Sequence, residues 1–201
     1  YTTETVGAIT VKGGAGIYLE RNSTNGGIVL STSNIIRFGQ ATLAIRENAD
    51  ELGLNQFQSQ RVYVTDPAWL TNNSANGMLD PWMVNATRGT FLSYNTTTGM
   101  TNTAWTSTGT GAAFLATLTN ISIAQYTAGD ATLAGTYNTY ALRINHEAAS
   151  NDSTISGTGQ INIHSGGLFI DNRDNARVDF GTTAAVYFGD GTTPTDRKSV
   201  V

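Results

Sequence analysis

Three aspartates crowd into the stretch "DNRDNARVD", at Asp171, Asp174 and Asp179. Calcium takes oxygen donors of this kind from turns and loops. The nine-residue repeat that binds calcium in β-helical proteins is absent, and Asp and Asn at turns serve equally well to cap the backbone with their own side chains. No metal is assigned. The three aspartates are kept as calcium candidates, with the shorter "GDGTTPTD" (189–196) behind them. The two histidines, His146 in "INHEA" and His164 in "NIHSGG", stand apart, with no HxH or HxxxH spacing that would converge them on one ion. They read as turn or surface residues.

Carbohydrate cleavage would need two carboxylates about 5–10 Å apart. Asp66, Asp80 and Glu147 are available, but no spacing selects a pair among them. The sequence therefore designates no catalytic residue and no cofactor. The aromatic side chains offer more. All three tryptophans fall within residues 65–112, at Trp69, Trp82 and Trp105, with Phe91 and Tyr94 among them. Trp and Tyr carry large contact areas and recur at interface hot spots. Trp69, Trp82, Tyr94 and Trp105 are accordingly the interface candidates; the competing role is a small local core under a long loop.

The elements that must position these residues are short and strand-like. The chain of 201 residues is long enough for a sizeable core. Charged residues make up 13 %, about half the usual ~25 %, while there are 32 Thr and 18 Asn against two Lys. Thr, Asn and Ser suit exposed strand faces and tight turns, and surface helices draw on other residues. A net charge of −4 without a basic patch speaks against nucleic acid. The absence of Cys excludes disulfides and thiolate metal sites. No apolar run approaches the ~20 residues of a membrane span. The first residue is Tyr and no signal peptide is recognised, so the chain is expected to be a mature or excised part of a longer protein.

Residues 1–64 break into strand-like pieces, "TVGAITVKGG", "GIYLERN", "GGIVLSTSN", "IIRFGQATLAI" and "QRVYVTD", each ending in Gly, Asn or a comparable turn signal. The segment 46–54 lacks an apolar stripe and reads as a loop. Residues 65–112 form an irregular, aromatic and Pro-containing insert or cap. It has strands near 83–85 and 90–94, and its two Asp-Pro steps (66–67 and 80–81) read as tight turns. Strand patterning resumes over 113–201, with a short helix as one reading of 112–118. There are internal echoes: 25–45 resembles 165–188, and "GAITVKGGAG" (7–16) resembles "GQINIHSGG" (159–167). Short strands at regular spacing, with few Asn-Gly hairpin signals, predict an all-β parallel β-helix. Each strand would pair about 20 residues away. Within 154–170, Ile161, Ile163, Leu168 and Ile170 would face inward, and Gly157, Gly159, Gly166 and Gly167 would turn the corners. A β-sandwich or jelly roll is the alternative.

Five motifs occur in order: "MVNATRGTFLSYN" (83–95), "LTNISIA" (118–124), "ATLAG" (131–135), "YALRIN" (140–145) and "TISGTGQINIHSGGLFI" (154–170). Together they resemble the long repeats of autotransporter-associated β-strand repeat proteins, which are giant bacterial surface proteins. The resemblance implies a right-handed parallel β-helix exported to the cell surface and serving as stalk, adhesin or fibre, without catalysis. The charged stretch 46–60 and the expanded Asp-Pro/Trp region depart from that pattern. The expected role is thus a self-associating structural unit, secreted, with copies of itself as partners, head to tail in a filament. The alternatives are a carbohydrate-binding or carbohydrate-cleaving β-helix of the tailspike kind, with surface glycans as partners, and a pilin- or capsid-like sandwich subunit.

Overall fold

The computed structural model describes residues 2–21, 26–48, 52–53, 59–146, 152–171 and 177–189, and these are predominantly β-strand. The chain divides into two compact units, 1–103 and 104–201, so that the aromatic-rich segment 65–112 is split between them. Among the described residues no helix is long and apolar enough to cross a membrane.

The first unit holds β1 (Thr2–Val6), β2 (Ile9–Leu19), β3 (Ile28–Thr32), β4 (Ile35–Glu47), β5 (Gln60–Val64), α1 (Pro67–Asn72), β6 (Ser74–Ala75), β7 (Met78–Leu79), β8 (Met83–Asn85), β9 (Thr90–Asn95) and β10 (Gly99–Asn102). The order β1-β3-β5 forms one sheet, parallel throughout. A second sheet runs β10-β9-β8-β4-β2, parallel from β2 to β8 and antiparallel from β8 to β10. Thr2 lies opposite Ile28 and Ile9 opposite Ile35, so β1 and β2 each pair with the strand after next.

The second unit holds β11 (Ser107–Gly109), α2 (Gly111–Leu115), β12 (Ile123–Thr127), β13 (Ala131–Leu133), β14 (Thr136–Asn145), β15 (Ser153–Gly157), β16 (Gln160–Asp171), β17 (Val178–Phe180) and β18 (Ala185–Phe188). Its two sheets, β11-β12-β14-β16-β18 and β13-β15-β17, are parallel throughout. Gln160 begins β16 opposite Thr136 of β14 on one side and Ala185 of β18 on the other.

Each of the two long parallel pairs carries a register shift. The β2–β4 register jumps from Lys12–Phe38 to Gly14–Thr42, and the β14–β16 register jumps from Thr139–Ile163 to Ala141–Gly167. Each jump takes up extra residues in the later strand. Gly13 and Gly39 flank the first jump at φ of 67° and 62°, a left-handed conformation that glycine reaches without strain. Buried threonines satisfy corner carbonyls: Thr32 Oγ1 donates to Gly7 O, and Thr139 Oγ1 donates to Ser122 O at 2.8 Å. Gly157 closes β15 at φ 98°, where an added Cβ would run into the Leu133 carbonyl of the neighbouring strand.

Each unit has its own core. Val11, Ile35, Leu43, Ile45, Val62, Trp69, Trp82 and Leu92 fill the first. Tyr126, Leu142, Ile144, Ile155, Ile161, Ile163 and Leu168 fill the second, with Ile170 packed against them. The alternation predicted for 161–170 therefore points these side chains inward as expected, and their ladder partners lie in β14 and β18. Gly166 and Gly167, read as corners, fall inside β16 next to the register jump.

Asp66-Pro67 is a correction. It opens a helix where a tight turn was expected. The Asp66 side chain accepts from Ala68 N at 2.9 Å and Pro67 occupies the first turn, where its missing N–H costs nothing. The second Asp-Pro step does lie in a turn, directly before β8.

Candidate functional site

The aromatic residues that the sequence singled out are distributed across both units. Trp69 and Trp82 are 3 % and 1 % exposed and belong to the first core. Trp69 donates its indole N–H to Ile35 O at 2.8 Å, which ties α1 to β4. Arg37 lies over the Trp82 ring, 5.7 Å from its centroid, and donates from Nε to Ala41 O. Phe91 is also buried. Tyr94 and Trp105 are half-buried. A fully buried side chain cannot present its face to a partner, so Trp69 and Trp82 act as the local core, and Tyr94 and Trp105 keep accessible edges.

Tyr94 packs edge-on against Trp69, with centroids 6.0 Å apart. Its hydroxyl donates to Val64 O and accepts from Val64 N, both at 3.0 Å, so one phenol replaces a missing ladder partner at the end of β5. Burial holds the phenol above its usual value of 10.0, in keeping with its donor role. Beside it a groove of about 480 Å³ opens, its lining including Ser31, Tyr63, Asp66, Pro67, Leu70 and Tyr94. The Tyr63 hydroxyl is also committed, donating to Thr97 O and accepting from Arg61. Asp66 is steadied by Asn34 Nδ2 at 3.2 Å on one oxygen and Ala68 N on the other.

Two buried polar clusters were not legible in the sequence. In the first unit Glu47 ends β4 with its side chain out of contact with solvent. It accepts from Asn85 Nδ2 at 2.9 Å and lies 3.5 Å from Arg88 Nε. Asn85 also donates to Asn102 Oδ1, and its own side-chain carbonyl receives the N–H groups of Thr87 and Arg88. Burial pushes the Glu47 carboxyl above the ordinary 4.5, against the opposing pull of Asn85 and Arg88. Between pH 4.5 and that raised value the folded chain holds a proton that the unfolded chain has released, so stability falls as pH rises through this window. Glu47→Gln removes the window. Its denaturant midpoint should exceed that of the parent at pH 7 and converge with it at pH 4; equal offsets at both pH values would contradict the assignment. Asn85 begins an Asn-X-Thr glycosylation sequon yet is 0 % exposed with its amide doubly bonded, so the folded chain cannot carry a glycan there.

In the second unit Arg143 and Asp171 form an ion pair with both side chains 6 % exposed. Arg143 also donates to Gln125 Oε1 at 2.7 Å and lies over the Trp105 ring, 5.6 Å from its centroid. One guanidinium thus links β12, β14 and β16 beneath Trp105.

Of the calcium candidates, the two among the described residues lie on different strands, Asp171 at the end of β16 and Asp179 in β17. Asp171 is committed to Arg143, Asp179 is exposed on β17, and Asp174 lies outside the described residues. Among the described residues no three His, Asp or Glu side chains converge on a point that would hold a metal. Aspartates elsewhere serve the backbone: Asp130 accepts from Thr154 N and Asp152 from Arg177 N, 24 and 25 residues on. The Arg177 N–H holds the Asp152 carboxyl below its usual 3.8. His164 meets Asn138 Oδ1 at 3.2 Å, while His146 is 0 % exposed with neither ring nitrogen bonded. Of the carboxylates named for catalysis, Asp66 caps α1, Asp80 is half-buried in the turn before β8, and Glu147 lies outside the described residues.

No protein-family model, no curated protein and no solved structure matches this chain.

Proposed function

We propose that this chain is a structural stretch of a parallel β-solenoid, part of an extracellular fibre or cell-surface adhesin. It joins a second copy head to tail through open strand edges and carries no catalytic centre. One observation supports this above the rest. The ladder that begins the first unit recurs in the second. Thr2–Ile28 corresponds to Ser153–Val178, and Ile9–Ile35 to Ile161–Val186. Repeated supersecondary units that pair only with their neighbours are the mark of solenoid proteins.

Among the described strands, β1 and β2 end their sheets in the first unit, and β17 and β18 end theirs in the second. Unpaired edges are templates for further strands. Partly buried Val186 and Phe188 line the inner side of one edge, and Ile9 and Val11 that of the other. Laying one copy's β1 and β2 on another's β17 and β18 keeps the parallel sense. The contact is heterologous and does not close, which yields a filament. Negative-stain microscopy and sedimentation of the purified chain across a concentration series should show linear assemblies that lengthen with concentration. Compact monomers at every concentration would sink the proposal.

A further inference from the structure

The groove beside α1 is built differently from the rest of the surface. Two tyrosine rings stand in its wall, and neither hydroxyl is available: Tyr94 is bonded twice to Val64, and Tyr63 is bonded to Thr97 and Arg61. The phenols are therefore anchored, and what they offer a ligand is ring surface held at a fixed angle. Leu70 and Pro67 extend the apolar floor. The lining also includes Ser31, Thr96 and Thr65, whose hydroxyl donates to Thr32 O at 3.4 Å and can still accept, and Asp66, whose two carboxylate oxygens each accept one hydrogen bond and keep lone pairs for more. Among the described residues no Lys or Arg lines the groove. Its volume, about 480 Å³, falls within the ~300–1,000 Å³ of small-ligand sites.

We propose that this groove binds a neutral saccharide of one or two rings. A pyranose presents one face of C–H groups and a rim of hydroxyls, and the groove presents rigid aromatic faces beside a rim of hydroxyls and one carboxylate acceptor. Anionic sugars meet Asp66 with no cation in the lining to balance them. A proline-rich peptide fits less well, because it would need tyrosine hydroxyls or unpaired backbone groups to reach its carbonyls. Here both phenols are already bonded, and the Thr65 N–H is paired with Thr32 O at 2.9 Å.

Saturation-transfer NMR and calorimetry with maltose, cellobiose, lactose and glucuronate provide the test, with a proline-rich decapeptide as comparison. At least one neutral disaccharide should bind, and glucuronate should bind at least tenfold more weakly. Tyr63→Ala should lose at least tenfold in affinity. Ser31→Arg is the second variant: it grows a long side chain into the groove from the outer face of β3 and touches no core position. It should abolish binding with the circular dichroism spectrum unchanged, and it decides the matter if Tyr63→Ala fails to fold. Absence of binding by any neutral sugar, binding by the peptide alone, or sugar binding that survives Ser31→Arg would overturn the assignment.

Discussion

Glu4→Ile should drive the chain into end-to-end assemblies at a concentration at least tenfold lower than the parent requires. Glu4 is opposite Leu30 in the parallel β1–β3 ladder, and paired residues of such a ladder project to the same side. Leu30 packs on the core, so Glu4 occupies an inward position on the outermost strand, where it is exposed for want of a strand beyond it. The corresponding position of the second unit, opposite Phe180, is Ile155, which is 0 % exposed. Covering the edge with another copy brings the Glu4 carboxylate to the joint, which weakens the parent's association without preventing it. Isoleucine there would instead contribute roughly 1.5–3 kcal/mol on burial. At about 1.4 kcal/mol per decade this alone is ten- to a hundredfold in association. Light scattering and sedimentation velocity measure the shift. Val186→Lys, which sets a charge on the inner side of the opposite edge, should reverse it in the Glu4→Ile background. A Glu4→Ile chain that sediments like the parent at all concentrations would mean that the β1–β2 edge is not a joining surface.

The second large effect is expected at Arg143 and Asp171. Asp171→Ala removes the carboxylate that pairs with a guanidinium confined between β12 and β16 under Trp105. Breaking a buried pair from one side costs about 3–5 kcal/mol. For a chain of this size that is a fall in Tm on the order of 10 °C. The double variant Arg143→Met, Asp171→Leu should recover most of the loss, because removing both charges also removes their desolvation cost. The cycle of both singles and the double isolates the coupling. Singles that cost less than about 1 kcal/mol would class the pair with solvated surface ion pairs, which contribute little, and Arg143 would not be the link between the three strands.

Much of the strand layout was legible in the sequence. Ile9 and Val11, Val62 and Val64, and Ile161 and Ile163 alternate with polar residues and all prove core-facing. The strands expected near 83–85 and 90–94 are β8 and β9. The phase of the internal repeat was only half legible. "GGIVL" and "GGLFI" look alike, yet Ile28–Leu30 lies in the short strand β3, and Leu168–Ile170 lies in the second half of the long strand β16. The echo of 25–45 in 165–188 therefore compares unlike positions. The ladders instead set Ile9 beside Ile161, which is the phase of the shorter echo between 7–16 and 159–167, and Thr2 beside Ser153, one residue short of it. The buried polar groups were invisible for a related reason. Thr32, Gln60, Asn85 and Thr139 are each 0 % exposed in a chain that also uses Thr and Asn at its surface.

The sequence by itself determined that the chain is all-β, where its longer strands run and which side of most of them is apolar. Those properties follow from a side-chain period of two and from Gly, Asn and Pro punctuation, which act over a few residues. Only the tertiary structure decided which strand lies beside which, that Trp69 and Trp82 are core while Tyr63 and Tyr94 wall a groove, and that Arg143 meets Asp171. Those facts depend on partners far removed along the chain. Parallel pairing over such distances is settled by which faces fit when stacked, and no local pattern encodes it.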